Sequence, residues 1–478
     1  MKHLALTLAA MLALAAVASA QVQPAQPAAA PDAAAPAPKT SPAPARIKLT
    51  GGTAAPKTQP AQTGDKPLMK DFIGLNVHTV QFKPELYKPV CRLVRDYHGM
   101  NWDTGVDDTS RDTTFPMANN QVDWLSMYRS WLEAGFEIDA CIQFGFKPAD
   151  WKNPEQDAYK YGKAFAEYFG PTKGQKLVTS VEIGNEPAAD YKIEEYAAVF
   201  DGMAKGIREG DPALKILTAT VQAGKPDKYS LPLDMFRSRG KLYDVINVHT
   251  YSLVTGWPTW ERSFPEDPKI DYLQVCTRAI NWRNVNAKDK EVWITEFGYD
   301  ASIAPAPTEG TFKDWVDVSD EVQAQWIVRS FLVFSELDIE RAYLYWFNDD
   351  GKNPQFHGAS GITRDYQPKM SYWAMKHLYE TLGEYRFSKA VTRQDGELFV
   401  FEYVRGNDEK DRIWVVWSPT GEANKPEGKG REVEKKLELP GTVVKAERMP
   451  MADGPAEAVD VAALKIGESP VYIWLKMP

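Results

Sequence analysis

Residues 178–187, VTSVEIGNEP, decide how the chain is read. Val178–Gly184 is a short, largely apolar run of strand length. It ends at a glycine, and Asn185-Glu186-Pro187 leads into a longer amphipathic stretch, Ile193–Arg208. Strand, polar turn and helix in that order form the repeating unit of a parallel α/β sheet.

The same unit recurs on both sides. Short apolar runs occur at Phe72–His78, Cys91–Asp96, Ile138–Phe144, Val178–Gly184, Ile216–Val221, Val245–His249, Val292–Thr295 and Arg341–Trp346. Helix-like stretches at Gln121–Gly135, Pro154–Tyr168, Ile193–Arg208, Tyr272–Asn284 and Glu321–Phe334 separate most of them. Eight strands, each followed by a crossover, predict a (β/α)8 TIM barrel over residues 67–384. An open doubly wound sheet would want a glycine-rich phosphate loop after an early strand, and the sequence has none. Beyond a last helix at Tyr372–Leu382 the texture changes. Alternating runs at Glu397–Val404, Ile413–Trp417, Glu432–Leu439 and Val471–Leu475 predict a small all-β sandwich over 385–478.

The first residues read differently from the rest. Lys2, the apolar run Leu4–Val17 and Ala18-Ser19-Ala20 have the pattern of a cleaved signal peptide over 1–20, which implies a secreted or periplasmic protein. Residues 21–66 are rich in Ala and Pro and hold almost no large apolar side chains, so a disordered tether is expected there. That tether carries Lys39, Arg46, Lys48, Lys57 and Lys66 against Asp32 and Asp65. The folded remainder is therefore more acidic than the formal −9 of the whole chain. An acidic body argues against nucleic acid as a partner. No later stretch has the length and apolarity of a transmembrane span. Three cysteines, Cys91, Cys141 and Cys276, are too few for a disulfide scaffold. Buried thiols are expected, with a Cys91–Cys141 bridge as the alternative. No Cys/His spacing resembles a metal site, and no cofactor motif is present.

Chemistry in such a barrel sits where the strands end. Asn185 and Glu186 follow the fourth run, His249 and Tyr251 the sixth, Glu296 the seventh, and Trp346 and Asn348 the eighth. Arg95 and His98 lie late in the second, and His78 ends the first. A lone Glu after a strand is ordinarily a solvated loop charge. Glu186 and Glu296, however, come from strands four and seven, which face each other across a barrel of eight. Two opposed carboxylates are what cleavage of a glycosidic bond requires, one as proton donor and one as anion at the sugar carbon. Asn185 can donate an amide hydrogen bond to a substrate hydroxyl. Glu182, four residues before Glu186, shares its strand face and is expected inside the barrel as a structural carboxylate. Trp257 and Trp260, in the long loop after strand six, are candidates for stacking on sugar rings or for pinning that loop. Asp349-Asp350-Gly351 reads as a turn, with a calcium site as the alternative.

EIGNEP at 182–187, HTY at 249–251, TEFG at 295–298 and the strand bearing Trp346 resemble clan A glycoside hydrolases, which are retaining barrel enzymes. VRDYHG at 94–99 and ITRDYQPKMSYWAMKHLYETLG at 362–383 are most similar to family 39 and its exopolysaccharide-degrading relatives. The resemblance runs from about 72 to 475. It implies Glu186 as acid/base and Glu296 as nucleophile, with Arg95 supporting the nucleophile and His249, Tyr251 and Trp346 at the nearest sugar. It also implies a poly- or oligosaccharide substrate, no cofactor and a monomer. Gly184 departs from the pattern, since many members carry Trp before the Asn. Two rivals share much of this sequence. A non-catalytic carbohydrate-binding barrel would keep the aromatics and lose the carboxylate pair. A transglycosylase would share every residue and differ only in the acceptor.

Overall fold

The computed structural model describes residues 66–478, apart from 106–107, 351–354, 395–396, 407, 420–431 and 435. The expected signal peptide, the tether up to Asp65, and Gly351 of the expected turn lie outside the described residues. Eight parallel strands close into a barrel: β1 (Ile73–Val77), β2 (Leu93–Gly99), β3 (Glu137–Gln143), β4 (Ser180–Ile183), β5 (Lys215–Leu217), β6 (Val245–His249), β7 (Glu291–Phe297) and β8 (Arg341–Leu344). Each pairs with its neighbours in sequence. The ring is completed by β8 on β1, in the register Ile73↔Ala342, Gly74↔Tyr343 and Leu75↔Leu344.

Each strand overlaps one of the eight runs read from the sequence, though β5 ends at Leu217, short of the expected Ile216–Val221, and helices lie where the amphipathic stripes predict them: Trp124–Glu133, Pro154–Phe169, Ile193–Gly210, Tyr272–Asn286, Asp320–Glu336 and Met370–Leu382. Among the described residues two crossovers lack such a helix: that from β1 to β2 has only the four-residue Pro84–Tyr87, and that from β5 to β6 has none. The β5 to β6 crossover holds a 3-10 turn at Leu233–Phe236 and a two-stranded pair, Val221–Gln222 with Leu231–Pro232. Gly224, Pro226, Pro232 and Gly240 break any helical stripe between those strands.

Strand alternation sorts the barrel's contents into layers. Leu93, Leu217, Val245, Trp293 and Tyr343 form an apolar floor. Two residues further along their strands come Arg95, Asn247 and Thr295, all buried and polar. The intervening Val94, Ile246 and Ile294 face outward into the core shared with the helices. The helix pair Pro154–Phe169 and Ile193–Gly210 packs so closely that a Cβ at Gly202 or Gly206 would fall 2.1 Å from a backbone carbonyl of the facing helix. All three cysteines are free and buried. Cys141 faces the interior beside Arg95, with Nη2 3.2 Å from Sγ, and Cys91 hydrogen-bonds back to Tyr87, so the alternative bridge does not form.

The helix Asp320–Glu336, capped by Ser319, is buried over almost its entire length. It lies between the barrel and a six-stranded antiparallel sheet. That sheet runs Tyr385–Gln394, Leu398–Arg405, Asp408–Trp417, Val471–Lys476, Thr442–Arg448 and Glu457–Ala458 in spatial order. Phe399, Phe401, Tyr403, Ile413, Val415 and Trp417 on one face join the barrel's own core. Leu398, Val400, Trp414, Val416, Ile473 and Leu475 on the other form a second cluster with Leu464 and Ile466. A two-stranded pair, Val433–Glu434 with Lys465–Ile466, lies at that second layer. A buried ion pair ties the units together: Arg329 of the helix binds Glu266 from a barrel loop, which also accepts from Trp417 Nε1 at 2.6 Å. Lys66, expected in the tether, is buried, and its ammonium donates to the carbonyls of Glu336 and Leu337. Burial lowers its pKa to about 8.

Candidate active site

Arg95 is the hub. It is fully buried, and its five donors fan out from β2 across the barrel. Nε and Nη2 clasp Glu182 at 2.8 and 2.9 Å. Nη2 also reaches Asn185 Oδ1 at 2.8 Å, while Nη1 donates to Asn76 Oδ1 at 2.7 Å and faces Glu296 Oε2 at 3.5 Å. Glu182 is thus the interior structural carboxylate that the sequence suggested. With its Oδ1 held by Arg95, Asn185 keeps its amide N–H groups as the donor end.

Glu296 is oriented by three neighbours. Tyr251 OH donates to Oε1 at 2.5 Å, Tyr97 OH to Oε2 at 2.9 Å, and Arg95 stands behind. Burial pushes this carboxyl's pKa up, but His249, Arg95 and the two tyrosine hydrogen bonds outweigh it and hold the group below its ordinary 4.5. Glu186 is more open, and its Oε1 lies 3.0 Å from His249 Nδ1. His249 is held from its other side by Thr295 Oγ1, 3.1 Å from Nε2. Single donor atoms of Glu186, His249 and Glu296 all lie within 4.8 Å of one another. That spacing suits a metal ion as well as a carboxylate pair, and the cation that Glu296 already faces is Arg95.

A register shift in β7 makes the arrangement possible. Val248 pairs with Ile294, but His249 pairs with Glu296, so Thr295 is an extra residue. Such a bulge re-aims side chains. Here it lets the consecutive residues Thr295 and Glu296 both engage the site, where a regular strand would turn one of them away.

The other sequence candidates divide. Trp346 is buried, stacks on Tyr345 at 5.1 Å, and meets His78 edge-on at 5.8 Å. Trp346 Nε1 and His78 Nδ1 have no hydrogen-bond partner among the described residues. Trp257 is 59% exposed and meets Phe312 edge-on at 6.4 Å. Trp260 instead packs against Trp315, His357 and Arg262, which pins the loop. The amide of Asn348 is engaged within its own loop, accepting from Thr363 and Tyr366 and donating to Asp349 O. Asp349 is bound by Arg364 at 2.7 Å and by Lys369, so cations from the chain itself occupy the place of the alternative calcium site. His98 points outward from the barrel, stacked on Trp124 and bonded to Asp103 and Tyr128. Tyr97, Asn76, Thr295 and Asn247 belong to the site and were not singled out from the sequence. Alternation could have found three of them, since Tyr97 follows Arg95 by two positions, Asn247 precedes His249 by two and Asn76 precedes His78 by two.

Gly184 has a physical reason. Its φ is +84°, and a Cβ there would lie 3.2 Å from Phe144 Cζ. The chain turns at that point to carry Asn185 and Glu186 back over the barrel. Gly184→Trp is expected to cost about 1–2 kcal/mol in backbone strain alone. It should also displace Glu186, lowering kcat more than it raises KM. Thermal midpoint and steady-state kinetics read the two effects separately.

No family model and no curated protein matches the chain. Solved structures share its fold. A family 39 glycoside hydrolase from the gut symbiont Bacteroides cellulosilyticus superposes with a TM-score of 0.62 at 16% identity, over 87% of this chain and 82% of its own. A glucosidase from Croceicoccus marinus gives 0.55 at 13%, over 87% and 98%. A family 51 α-L-arabinofuranosidase from Bifidobacterium longum gives 0.55 at 12%, over 87% and 98%. A likeness covering 87% of the chain extends beyond the barrel into the C-terminal sheet, so at these identities barrel and sheet together are a fold that this chain shares with glycoside hydrolases.

Proposed function

We propose that the protein is a retaining glycoside hydrolase acting on β-linked poly- or oligosaccharides. The observation that carries this reading is the approach of Glu186 and Glu296, with an oxygen of each within 4.8 Å of the other. Double displacement needs carboxyls about 5–5.5 Å apart, whereas inversion leaves room for a water at about 6.5–9.5 Å. In this reading Glu296 attacks the anomeric carbon while Glu186 protonates the departing oxygen. Glu186 then takes a proton from the water that releases the sugar. The environments support that division: Glu296 is buried among donors that favour its anion, while Glu186 is 28% exposed and meets an imidazole. Asn185, fixed by Arg95, is placed to donate to a sugar hydroxyl. Trp346 offers a ring face, and Trp257 an outer platform.

The solved neighbours bear the names of different activities, so the fold supports the reaction class and leaves the sugar to the loops. The signal-like leader supports export. The test is the configuration of the first-formed product on a panel of aryl β-glycosides and β-glucans, followed by proton NMR. The β-anomer is expected to appear first. Initial release of the α-anomer would overturn the double-displacement reading.

A further inference from the structure

Arg262 is buried with one ion pair and donors to spare. Its Nη2 donates to Asp300 Oδ2 at 3.0 Å, while Nε and Nη1 make no hydrogen bond among the described residues. Burying a charge is costly, and the rest of this guanidinium is spent on ring faces. Its central carbon lies 4.9 Å from the centre of the Tyr251 ring and 5.8 Å from that of Trp260. Tyr251 is two residues past the end of β6, so the barrel's strand pairing does not reach it. The loop that it opens folds back on itself instead. Leu253 bridges Arg262 in antiparallel register, and Ser263 N donates to Ser252 O at 2.8 Å. That hairpin returns Arg262 to the face of the Tyr251 ring. At the far end of Arg262, Asp300 is three residues past β7. It accepts from Ser360 Oγ at 2.5 Å and is faced by His357 Nδ1 at 3.4 Å, both in the loop after β8.

We propose that Arg262 is a positioning residue: ion-paired to Asp300 and stacked on Tyr251, it holds that ring with its hydroxyl on Glu296 Oε1. The proposal rests on Glu296 being the nucleophile. Tyr251 OH donates to Oε1 at 2.5 Å, one of two tyrosine hydrogen bonds that favour the Glu296 anion. Rotation of the side chain would carry the hydroxyl off the carboxylate, and a hydrogen bond weakens steeply as its angle closes. The guanidinium occupies one face of the ring and opposes rotation toward that side. Tyr97, the other donor to Glu296, has the same backing, with the Arg95 guanidinium carbon 4.8 Å from its ring centre. Each tyrosine that orients the nucleophile is therefore braced by a guanidinium. Arg262 supplies from a loop what Arg95 supplies from inside the barrel. The loops after β6, β7 and β8 thus converge on a residue that acts on Glu296 without touching it.

Two readings on the intact protein test this. The first is the hydroxyl proton of Tyr251, which in a short bond to a carboxylate resonates downfield of the backbone amides. Tyr251→Phe assigns it, and Tyr97→Phe assigns its counterpart. The wild type is expected to show both signals. Arg262→Met should lose the Tyr251 signal or move it upfield, while the Tyr97 signal stays. Absence of the Tyr251 signal from the wild type, or its persistence unchanged in folded Arg262→Met, would overturn the proposal, whether or not the enzyme turns over. The second reading is a double-mutant cycle in kcat/KM on the aryl β-glycoside that is cleaved fastest. Tyr251→Phe should lower kcat/KM by about 10- to 100-fold, the scale of a hydrogen bond to a charged group. Arg262→Met should reproduce most of that loss. The two together should lose no more than Tyr251→Phe alone, because Arg262 acts through the ring. Losses that multiply would overturn the proposal. If Arg262→Met does not fold with Asp300 left as a buried anion, Arg262→Met with Asp300→Asn removes both charges, and the same two readings decide. A protein with the expected hydroxyl signals but no glycosidase activity would instead count against the functional reading alone.

Discussion

Glu296→Gln is expected to abolish turnover on an unactivated β-linked substrate, with a loss of about 10⁵-fold or more, the scale of losing a covalent nucleophile. The amide cannot form the ester to the anomeric carbon. It also removes the anion that Arg95, Tyr97 and Tyr251 are arranged around. No choice of leaving group should recover the activity, because the missing group acts at the sugar carbon. Glu186→Gln should behave differently. General acid catalysis contributes about 10²–10⁴-fold, and that loss should appear for sugar leaving groups and shrink for dinitrophenolate. Azide, which needs no general base, should accelerate release from Glu186→Ala and give a β-glycosyl azide. A similar loss for both variants on every leaving group would mean that the two roles are assigned wrongly. The acid limb of the wild-type profile adds a check. Because Glu296 is held below 4.5, its anion persists as pH falls through the usual carboxylate range, and kcat/KM should decline only below it.

Most of the fold could be read from the sequence because the barrel's strands are short apolar runs divided by amphipathic helices, and each signal is local. The placement of Glu186 and Glu296 at the ends of strands four and seven follows from counting alone. What could not be read depends on geometry that the alternation rule does not carry. Thr295 reads as a strand residue facing away from its neighbour Glu296, and only the bulge in β7 lets both engage the site. Asn348 looks equivalent to Trp346 as a residue after strand eight, yet its loop consumes its amide. Tyr97 and His98, adjacent in VRDYHG, are the contrary case, where plain alternation sends Tyr97 to Glu296 and His98 into the helix layer. In the C-terminal sheet, Tyr385–Gln394 and Thr442–Arg448 were missed, because charged and polar residues interrupt their apolar pattern where they are exposed.

Arg95→Leu is expected to produce the largest loss of stability among substitutions in the site, about 3–5 kcal/mol, the cost of removing one partner from a buried ion pair. Arg95 and Glu182 are both wholly buried, and the guanidinium supplies both of the bonds that clasp the carboxylate. Without it Glu182 would remain a buried anion still accepting from the Asn247 amide. Asn76, Asn185 and Glu296 would lose their cation at the same time. Activity should fall with stability, because Asn185 loses the contact that orients its amide. Arg95→Lys should not rescue it, since one ammonium cannot span Glu182, Asn76 and Asn185 as the planar fork does. The diagnostic variant is Arg95→Leu combined with Glu182→Gln. If the penalty is a stranded charge, neutralising Glu182 should raise the thermal midpoint above that of Arg95→Leu while leaving activity low. If the double variant is no more stable than the single one, the penalty lies in lost packing, and the electrostatic role given to Glu182 is wrong. Thermal melts of the four proteins, with kcat/KM measured on the same samples, separate the two outcomes.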